Sequence, residues 1–330
     1  MKAVALLSGG LDSILAIRVI KEQSIDVEAV NFVTPFCRCS SKGCGGNEAG
    51  KAAEKLGVPL TVRNISHEFV EVLKRPKHGY GKNMNPCIDC RILMNKKAKE
   101  YMMESGASFI ITGEVLGQRP MSQHLNSLRK IEKESGLTGL ILRPLSARLL
   151  PVTTPEKEGW VDRAKLLDMS GRTRKPQMAL AKGFGIKDYP CPAGGCLLTD
   201  PEFAKKIRDL LDHTEATMDD IHLLKVGRHF RLSGEAKLVV GRDEAENKRL
   251  LTLLREDDIQ FKTIEVAGPV GIGRGSFDEP LIHLASQIIA RYSDSARADA
   301  KVCVSRRSAG EEKDVMADKI DSSALSAYRI

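Results

Sequence analysis

Short apolar runs alternate with stretches of helical spacing through the first part of the chain. Four runs are short and apolar, as expected for strands buried on both faces of a sheet: residues 3–7, 27–33, 60–64 and 109–112. Four stretches between and after them place apolar side chains at helical spacing: residues 11–23, 45–56, 91–105 and 121–134. This repetition predicts the α/β class, with a doubly wound parallel sheet.

After residue 200 the pattern changes to a mixture of single helices and antiparallel strands. We predict helices at 201–212, 243–255 and 279–290, a strand at 260–266, and a hairpin of residues 225–232 and 236–240 around the sequence SGE. This favours a separate α+β unit that ends in a polar C-terminal tail. The predicted division is therefore a first domain (1–185), a cysteine-containing connector (186–200) and an accessory domain (201–330).

Composition narrows the class of protein. With 330 residues, 42% hydrophobic and 28% charged, the chain has the size and balance of a globular protein of about two domains. No apolar stretch is long enough to cross a membrane, so we expect a cytoplasmic protein without membrane contact. In that reducing compartment, the 8 cysteines favour metal binding or catalysis over disulfides. The net charge of +8 favours a polyanionic partner.

The sequence SGGLDS follows the first predicted strand and opens the first predicted helix. Gly9 and Gly10 let the backbone turn sharply, and Ser8 and Ser13 add hydroxyl donors. Together with the helix N-terminus, they predict an anion cradle for phosphates. Asp12 lies inside this cradle, which indicates a bound Mg²⁺. The stretch lacks both the GKS/T ending of a Walker A loop and the GxGxxG of a dinucleotide site.

In this position SGGxDS resembles the PP-loop of the ATP pyrophosphatase superfamily, whose fold is adenine nucleotide alpha hydrolase-like. Three later stretches, CIDCRILMNKKA, IITGEVLGQRPMSQ and LILRPL, resemble the catalytic domain of tRNA 4-thiouridine synthetases of the ThiI type. The letters NPC before IDC also resemble a segment of tRNA 2-thiouridylases. The resemblance covers residues 1–150 and implies that ATP adenylates a uridine oxygen, which sulfur then replaces.

The resemblance also implies where the nucleotide and the tRNA bind. Gly113, Glu114 and Gln118 follow the fourth strand, at the end where open α/β sheets place ligands. Asn31 and Phe32 end the second strand, where the backbone would hold adenine. The family usually carries a ferredoxin-like and THUMP module before the loop, which here starts at residue 8. We therefore expect the C-terminal unit, whose VGRDEAEN resembles an RNA-binding module of ribosome-associated quality-control factors, to dock the tRNA.

The cysteines of NPCIDC and CPAGGC are the candidates for sulfur chemistry. By resemblance to related thiolases, Cys87, Cys90 and Cys196 would hold a [4Fe-4S] cluster with one iron open to sulfide. Alternatively, Cys90 and Cys196 act as a pair, one carrying a persulfide and the other resolving it. Zinc is a third option for the CxxC. Cys196 is preferred over Cys191 because GGC gives a flexible approach.

The other cysteines carry weaker signals. Cys37, Cys39 and Cys44 fall close together in FCRCSSKGC, which suggests a metal site, a sulfur relay or incidental thiols. Cys303 alternates with valines in KVCVS and is expected to be structural.

Basic residues between the two predicted domains are candidates for contact with an RNA backbone, namely Arg143, Arg172, Arg174 and Lys175. The leading hypothesis is an ATP-dependent tRNA sulfurtransferase that forms 4-thiouridine, with sulfur from a cysteine desulfurase persulfide or from inorganic sulfide. The alternatives are a tRNA 2-thiouridine synthase, a PP-loop enzyme that thiolates or amidates a small molecule, and a non-catalytic ATP- and RNA-binding module with a structural metal. The oligomeric state is open, with a homodimer as one option.

Overall fold

The computed structural model describes residues 1–37, 47–189, 195–306, 308 and 310–330. The chain forms two compact units, Met1–Thr199 and Asp200–Ile330. None of the helices in the described ranges combines the length and the hydropathy that a membrane span requires.

The first unit is built on a parallel sheet. Its strands are β1 (Lys2–Leu6), β2 (Asp26–Val33), β3 (Leu60–Asn64), β4 (Phe109–Ile111) and β5 (Ile141–Leu142). They lie in the order β3–β2–β1–β4–β5, and every neighbouring pair is parallel. Strands β2 and β3 extend the sheet on one side of β1, and β4 and β5 extend it on the other. The predicted doubly wound fold is therefore confirmed. The switch point between β1 and β4 is where such sheets bind ligands.

Helices connect these strands and cover both faces of the sheet. They are α1 (Leu11–Lys21), α2 (Asn47–Leu56), α3 (Ser66–Lys74), α4 (Cys87–Glu104), α5 (Leu125–Ser135), α6 (Thr154–Lys157) and α7 (Lys175–Gly183). Two starts differ from the prediction. Helix α5 begins at Leu125 instead of residue 121, and α4 begins at Cys87 instead of residue 91. The CxxC therefore forms the first turn of a helix and does not precede it.

The alternation of side chains along β1 explains why both faces are covered. Ala3 and Ala5 pack into the apolar cluster formed with α1, α2 and α7. Val4 points to the other face, where it packs with Ala98 and Met102 of α4. A strand whose two faces both carry apolar residues is stable only between two layers of helices.

The second unit is an antiparallel sheet with helices. Its strands are β6 (Arg228–Arg231), β7 (Ala236–Val240), β8 (Ile259–Thr263), β9 (Val270–Gly275), β10 (Asp299–Arg306) and β11 (Glu311–Asp318), in the order β11–β10–β8–β9–β7–β6. Its helices are α8 (Pro201–His213), α9 (Met218–Leu223), α10 (Glu244–Leu253), α11 (Glu279–Arg291) and α12 (Ser322–Tyr328). The predicted hairpin is β6–β7, which pairs antiparallel.

The expectation of a polar C-terminal tail is wrong. Residues 311–318 form β11, which pairs along its whole length with β10, and α12 follows it. The segment was misjudged because β11 exposes most of its side chains and buries only Ala317. Leu325 of α12 and Ile320 join the core of the second unit. A strand can thus be held by backbone pairing even where its side chains give little apolar signal.

Candidate active site

The SGGLDS loop joins β1 to α1 and is folded tightly on itself. Gly9 has a φ of +78°, and a Cβ there would lie 2.6 Å from the carbonyl carbon of Glu48. Ser13 Oγ donates to the carbonyl of Gly10 at 2.8 Å and accepts from the amide of Ser8 at 3.3 Å. The loop therefore presents backbone amides at the N-terminus of α1, the arrangement that binds phosphate.

Asp12 lies in the first turn of α1, and one of its carboxylate oxygens has no hydrogen-bond partner in the part of the chain that the structure describes. Its Oδ2 accepts a hydrogen bond from Gln118 Nε2 at 3.2 Å. Its Oδ1 is buried and has no hydrogen-bond partner among the described residues. A buried carboxylate oxygen without a partner is costly unless a ligand completes it. The donor suits a hard cation such as Mg²⁺.

The loop after β4 approaches the nucleotide loop so closely that only glycine fits. A Cβ on Gly113 would lie 2.5 Å from the carbonyl carbon of Asp12 and from the amide nitrogen of Ser13. Gly113 therefore lets the predicted ligand loop sit directly against the start of α1. Together with the Asp12–Gln118 hydrogen bond, this contact brings the predicted residues Gly113 and Gln118 to the SGGLDS loop.

Glu114 is the centre of a buried ion-pair network. Its Oε2 accepts from Arg143 Nε at 3.0 Å and from Thr112 Oγ1 at 3.2 Å, and its Oε1 lies 3.6 Å from Arg91 Nε. Arg143 also pairs with Glu132. Burial by itself raises the pKa of Glu114, but Arg143 and Arg91 outweigh it and hold that pKa below its usual range. Glu114 thus ties the ligand loop to the interior.

The prediction that Arg143 contacts RNA is wrong. Its side chain is only 3% exposed, and its guanidinium is used by Glu114 and Glu132. Burial lowers the pKa of Arg143, but these two carboxylates raise it above its ordinary value. Arg172 and Lys175, in contrast, are exposed, and Arg174 is partly exposed with a buried Nε that lacks a partner among the described residues.

Three buried polar residues near these loops were not assigned a role from the sequence. Ser122, Gln123 and Gln177 are at most 3% exposed, yet Ser122 Oγ, Gln123 Oε1 and both amide atoms of Gln177 have no hydrogen-bond partner in the described part of the chain. Gln123 belongs to the ligand loop. Gln177 lies in α7, which follows Gly171, whose amide donates to Leu116 at 2.8 Å. In the sequence these residues appear as polar letters in PMSQ and RKPQ. Nothing in those letters indicates that their side chains are buried.

The expected adenine-binding positions at the end of β2 have structural contacts of their own. Asn31 Nδ2 donates to the carbonyl of Leu7 at 2.7 Å, which ties β2 to the end of β1. Phe32 packs against the apolar cluster that includes Val4 and Ala98. Their role as an adenine site remains a prediction.

Four thiols gather where α4 begins. Burial is the main reason that the pKa of Cys90 rises to about 12; the thiols of Cys196, Cys87 and Cys37 raise it further, while Arg91 lowers it. Cys87 Sγ accepts from Asn85 Nδ2 at 3.3 Å. Cys90 therefore lies close enough to Cys87, Cys196 and Cys37 for their thiols to influence its pKa.

Cys196 is held between two segments that are distant in sequence. The amide of Leu197 donates to the carbonyl of Phe36 at 3.0 Å, and Cys196 forms an antiparallel bridge with Cys37. On the other side, Leu198 accepts from the amide of Met84 at 3.1 Å, next to NPCIDC. Sequence analysis connected Cys196 to the CxxC, but it did not connect Cys37 to Cys196.

His78 fixes the start of α4 from outside. Its backbone amide donates to Asp89 Oδ2 at 2.9 Å, and its Nδ1 lies 2.8 Å from Asp89 Oδ1. Its Nε2 lies 3.0 Å from Glu134 Oε1 on α5. Asp89 is the residue between Ile88 and Cys90 of the CxxC. The histidine therefore clamps the CxxC turn onto α5, a role the sequence did not indicate.

The remaining cysteines are of two kinds. Cys39, Cys44 and Cys191 lie outside the described residues. Cys303 lies in β10 with its thiol 2.8 Å from Glu312 Oε1, and burial together with this carboxylate raises the pKa of Cys303 to about 11. Such a thiol is protonated and unreactive at neutral pH.

Comparison with known proteins adds to this picture. Residues 1–149 match the family model described as thiamine biosynthesis protein (ThiI), and residues 227–329 match that of the NFACT protein RNA binding domain. A tRNA-specific 2-thiouridylase from Nocardioides sp. is 23% identical over 340 residues, which cover 94% of this chain and 86% of that protein. A probable tRNA sulfurtransferase from Ureaplasma urealyticum is 33% identical over 145 residues, 44% of this chain and 36% of that protein.

Among solved structures, a 4-thiouridine synthetase–RNA complex with bound ATP aligns with a TM-score of 0.34 and 21% identity. The alignment covers 68% of this chain and 52% of that one.

The chain thus combines a parallel sheet that carries SGGLDS at its switch point with a separate antiparallel unit. Residues 1–149 are similar to the ThiI family model, and the chain is similar to enzymes of tRNA thiolation. The C-terminal unit carries the match to an RNA-binding domain.

Proposed function

We propose that the protein is an ATP-dependent tRNA sulfurtransferase that replaces a uridine carbonyl oxygen by sulfur. One observation carries the proposal: a single loop joins the nucleotide cradle to the thiols. Gly113 of that loop lies against Asp12, and the neighbouring Glu114 faces Arg91, which directly follows Cys90. These contacts support a reaction in which an activating nucleotide and a sulfur-carrying thiol meet at the same edge of the sheet.

The activation step uses the SGGLDS loop. The backbone amides around Gly9 and Gly10 would bind the phosphates of ATP, and Asp12 Oδ1 would hold Mg²⁺, which neutralises phosphate charge when bound. The uridine oxygen attacks the α-phosphorus, and pyrophosphate leaves. A poor leaving group, the carbonyl oxygen, becomes part of an adenylate.

In the second step, sulfur attacks the ring carbon and AMP leaves with the former carbonyl oxygen. Cys196 carries the sulfur as a persulfide, and the sulfane sulfur comes from a persulfide donor. Cys196 is suited to this because the residues that follow it are held in place: Leu197 donates to the carbonyl of Phe36, and Leu198 accepts from the amide of Met84, before the CxxC.

A [4Fe-4S] cluster on Cys87, Cys90 and Cys196 was expected from resemblance. The thiols are of the right chemical kind and influence one another electrostatically. However, the described residues contain no group of three His, Cys, Asp or Glu side chains with the spacing to hold a metal ion. As placed, the thiols do not fit a cluster, and we derive no step through one. Iron and acid-labile sulfide assays on anaerobically purified protein test this directly.

The C-terminal unit and the exposed basic residues are the proposed tRNA contacts. The unit matches an RNA-binding domain model over residues 227–329. Arg172 and Lys175 add positive charge on the first unit, at the start of α7. Phosphate contacts of this kind make binding weaken with salt.

The proposed product is 4-thiouridine, because residues 1–149 carry the ThiI-type motifs and match that family model. The second candidate is 2-thiouridine, favoured because the 2-thiouridylase relative aligns over 94% of this chain. The two products differ in which carbonyl faces the adenylating site, C4 or C2.

Nucleoside analysis of tRNA decides among these functions. In a strain that lacks the gene we expect one thiouridine to disappear, and its identity gives the position. The purified protein with ATP, Mg²⁺, a persulfide donor and that unmodified tRNA should restore it with release of AMP and pyrophosphate. The Cys196→Ala variant should still release pyrophosphate but form no thiouridine, whereas Cys303→Ala should match the wild type. If the strain keeps every thiouridine and the purified protein thiolates no tRNA, the proposal is wrong.

A further inference from the structure

Cys37 and Cys196 face each other across two antiparallel segments. Leu197 donates to Phe36, and these two residues flank the cysteines on either strand. The cysteines are therefore a non-hydrogen-bonded pair, for which the Cα atoms are about 4.5 Å apart. Disulfides need Cα atoms roughly 4.4–6.8 Å apart. Side chains directly opposite in such a pair project to the same side of the ladder.

Buried neighbours hold both members of the pair in place. Phe36 is fully buried and packs on Phe69 with ring centroids 5.5 Å apart. Leu198 is also fully buried, and Asn83 Nδ2 donates to the carbonyl of Thr199 at 2.8 Å. Two backbone segments fixed in this way need little rearrangement to bring their cysteine sulfurs together.

Access distinguishes Cys37 from the other three thiols. Cys37 is exposed, whereas Cys196, Cys87 and Cys90 are all partly exposed, so a small thiol in solution reaches Cys37 most easily. Cys87 and Cys90 project from the first turn of α4, and in the described part of the chain no strand pairing joins either of them to Cys196. The geometry that favours a disulfide belongs to Cys37 and Cys196.

We propose that Cys37 is the thiol that resolves a persulfide on Cys196, and that the two close as a disulfide in each catalytic cycle. This inference rests on the proposed function. It assigns the resolving role to Cys37 instead of Cys90, the pairing that the sequence had suggested.

The step balances as follows. A persulfide donor transfers its sulfane sulfur to the Cys196 thiolate. The terminal sulfur attacks the adenylated carbon, AMP leaves, and the uridine is joined to Cys196 through an S–S bond. The Cys37 thiolate attacks Cys196 Sγ and breaks that bond, whose electron pair stays on the sulfur of the thiouridine. Two thiols are oxidised to a disulfide, the sulfane sulfur gains two electrons, and a dithiol reductant restores the enzyme.

The first test needs neither tRNA nor ATP. The full chain is equilibrated in redox buffers of reduced and oxidised dithiothreitol, alkylated, digested and analysed by mass spectrometry. We expect a Cys37–Cys196 peptide link that Cys37→Ser abolishes and that Cys90→Ser and Cys303→Ser leave in place. A dominant Cys90–Cys196 link, or no link to Cys37 even under fully oxidising conditions, would overturn the proposal.

The second test follows catalysis with a persulfide donor, ATP and unmodified tRNA. Cys37→Ser should release AMP as fast as the wild type in the first turnover but stop at about one covalent enzyme–tRNA adduct per enzyme, which dithiothreitol frees. Release of free thiolated tRNA by this variant in the absence of a thiol reductant would contradict the resolving role. If the wild type itself releases no AMP, the proposed function is wrong. The redox titration tests the Cys37–Cys196 link independently of that result.

Thermal unfolding of Cys37→Ser serves as the folding control. The bridge to Cys196 is made by backbone atoms, so the variant should keep the wild-type transition.

Discussion

The two units use buried polar side chains in opposite ways. In the second unit, Arg274 donates to Asp258 at 2.7 Å and to Asp220 at 2.8 Å, and Asp209 accepts from Arg231 and Lys237. At the ligand edge of the first unit, by contrast, polar atoms lack partners among the described residues: Asp12 Oδ1, Ser122 Oγ, Gln123 Oε1 and the amide of Gln177.

We interpret the paired side chains of the second unit as stabilising its fold, and the unpartnered polar atoms of the first unit as part of a ligand-binding site. A buried polar atom without a partner costs about 1–3 kcal/mol, so several of them in neighbouring loops indicate a place where a ligand or ordered water completes them. Glu114 and Arg143 form a buried ion pair in the first unit, but Glu114 Oε1 and Arg143 Nη2 also lack a hydrogen-bond partner among the described residues. His229 Nδ1 is the one such orphan atom found in the described part of the second unit.

The strongest test of this contrast is Asp12→Asn. Since the carboxylate would hold Mg²⁺ against the phosphates, we expect pyrophosphate release to fall by about 10²–10³-fold. Pyrophosphate release in the presence of tRNA measures it. Glu22→Gln is the matched control, because Glu22 pairs with Arg18 at the exposed end of α1. If the variant keeps an activity within a few-fold of the wild type, Asp12 does not hold the Mg²⁺ that the reaction uses.

Glu114→Gln tests the structural side of the first unit. The variant leaves Arg143 buried beside a neutral amide, which should lower the free energy of unfolding by about 3–5 kcal/mol. Urea unfolding followed by Trp160 fluorescence measures it, since Trp160 is the only tryptophan and packs near Phe109. The control Glu104→Gln breaks an exposed pair with Arg63 and should cost less than about 1 kcal/mol. Equal effects of the two variants would contradict the distinction.

Asp209 gives the second unit a predictable pH dependence. Burial raises the pKa of Asp209, but hydrogen bonds from Arg231 and Lys237 outweigh it and hold that pKa below the ordinary value of about 3.9. The carboxylate therefore stabilises the folded state above pH about 4, and this stability is lost as the pH falls through the folded pKa.

The Asp209→Asn variant should accordingly be less stable than the wild type at pH 7, with a difference that shrinks in acid. Thermal unfolding by circular dichroism between about pH 3 and pH 7 measures both curves. A difference that stays constant over this range would show that the carboxylate charge is not what stabilises the unit.

The smallest expected effect concerns the exposed basic residues. Arg172→Ala with Lys175→Ala should weaken tRNA binding a few-fold and lower the slope of log affinity against log salt by about two. ATP binding measured without tRNA should not change. Lys96→Ala, an exposed lysine on α4, is the control. An unchanged salt slope would show that Arg172 and Lys175 do not contact the RNA backbone.

The sequence predicted much of this arrangement because local patterns decide it. Apolar runs of strand length and helical spacing gave the parallel sheet, and the SGGLDS loop located the nucleotide end. Strand β9 was missed because three of its six residues are glycine, which weakens any strand signal. The tail was missed because β11 is held by pairing with β10 while exposing most of its side chains.

What the sequence determined by itself was the order of the motifs and the class of chemistry they imply. What only the tertiary structure decided was which groups meet. Arg143 looked like an exposed basic residue and is a buried partner of Glu114. The sequence grouped Cys37 with Cys39 and Cys44, as a metal site, a sulfur relay or incidental thiols, but Cys37 lies opposite Cys196, more than a hundred residues away in the chain. Burial and pairing across such distances depend on how the segments pack, and no local pattern of letters contains that information.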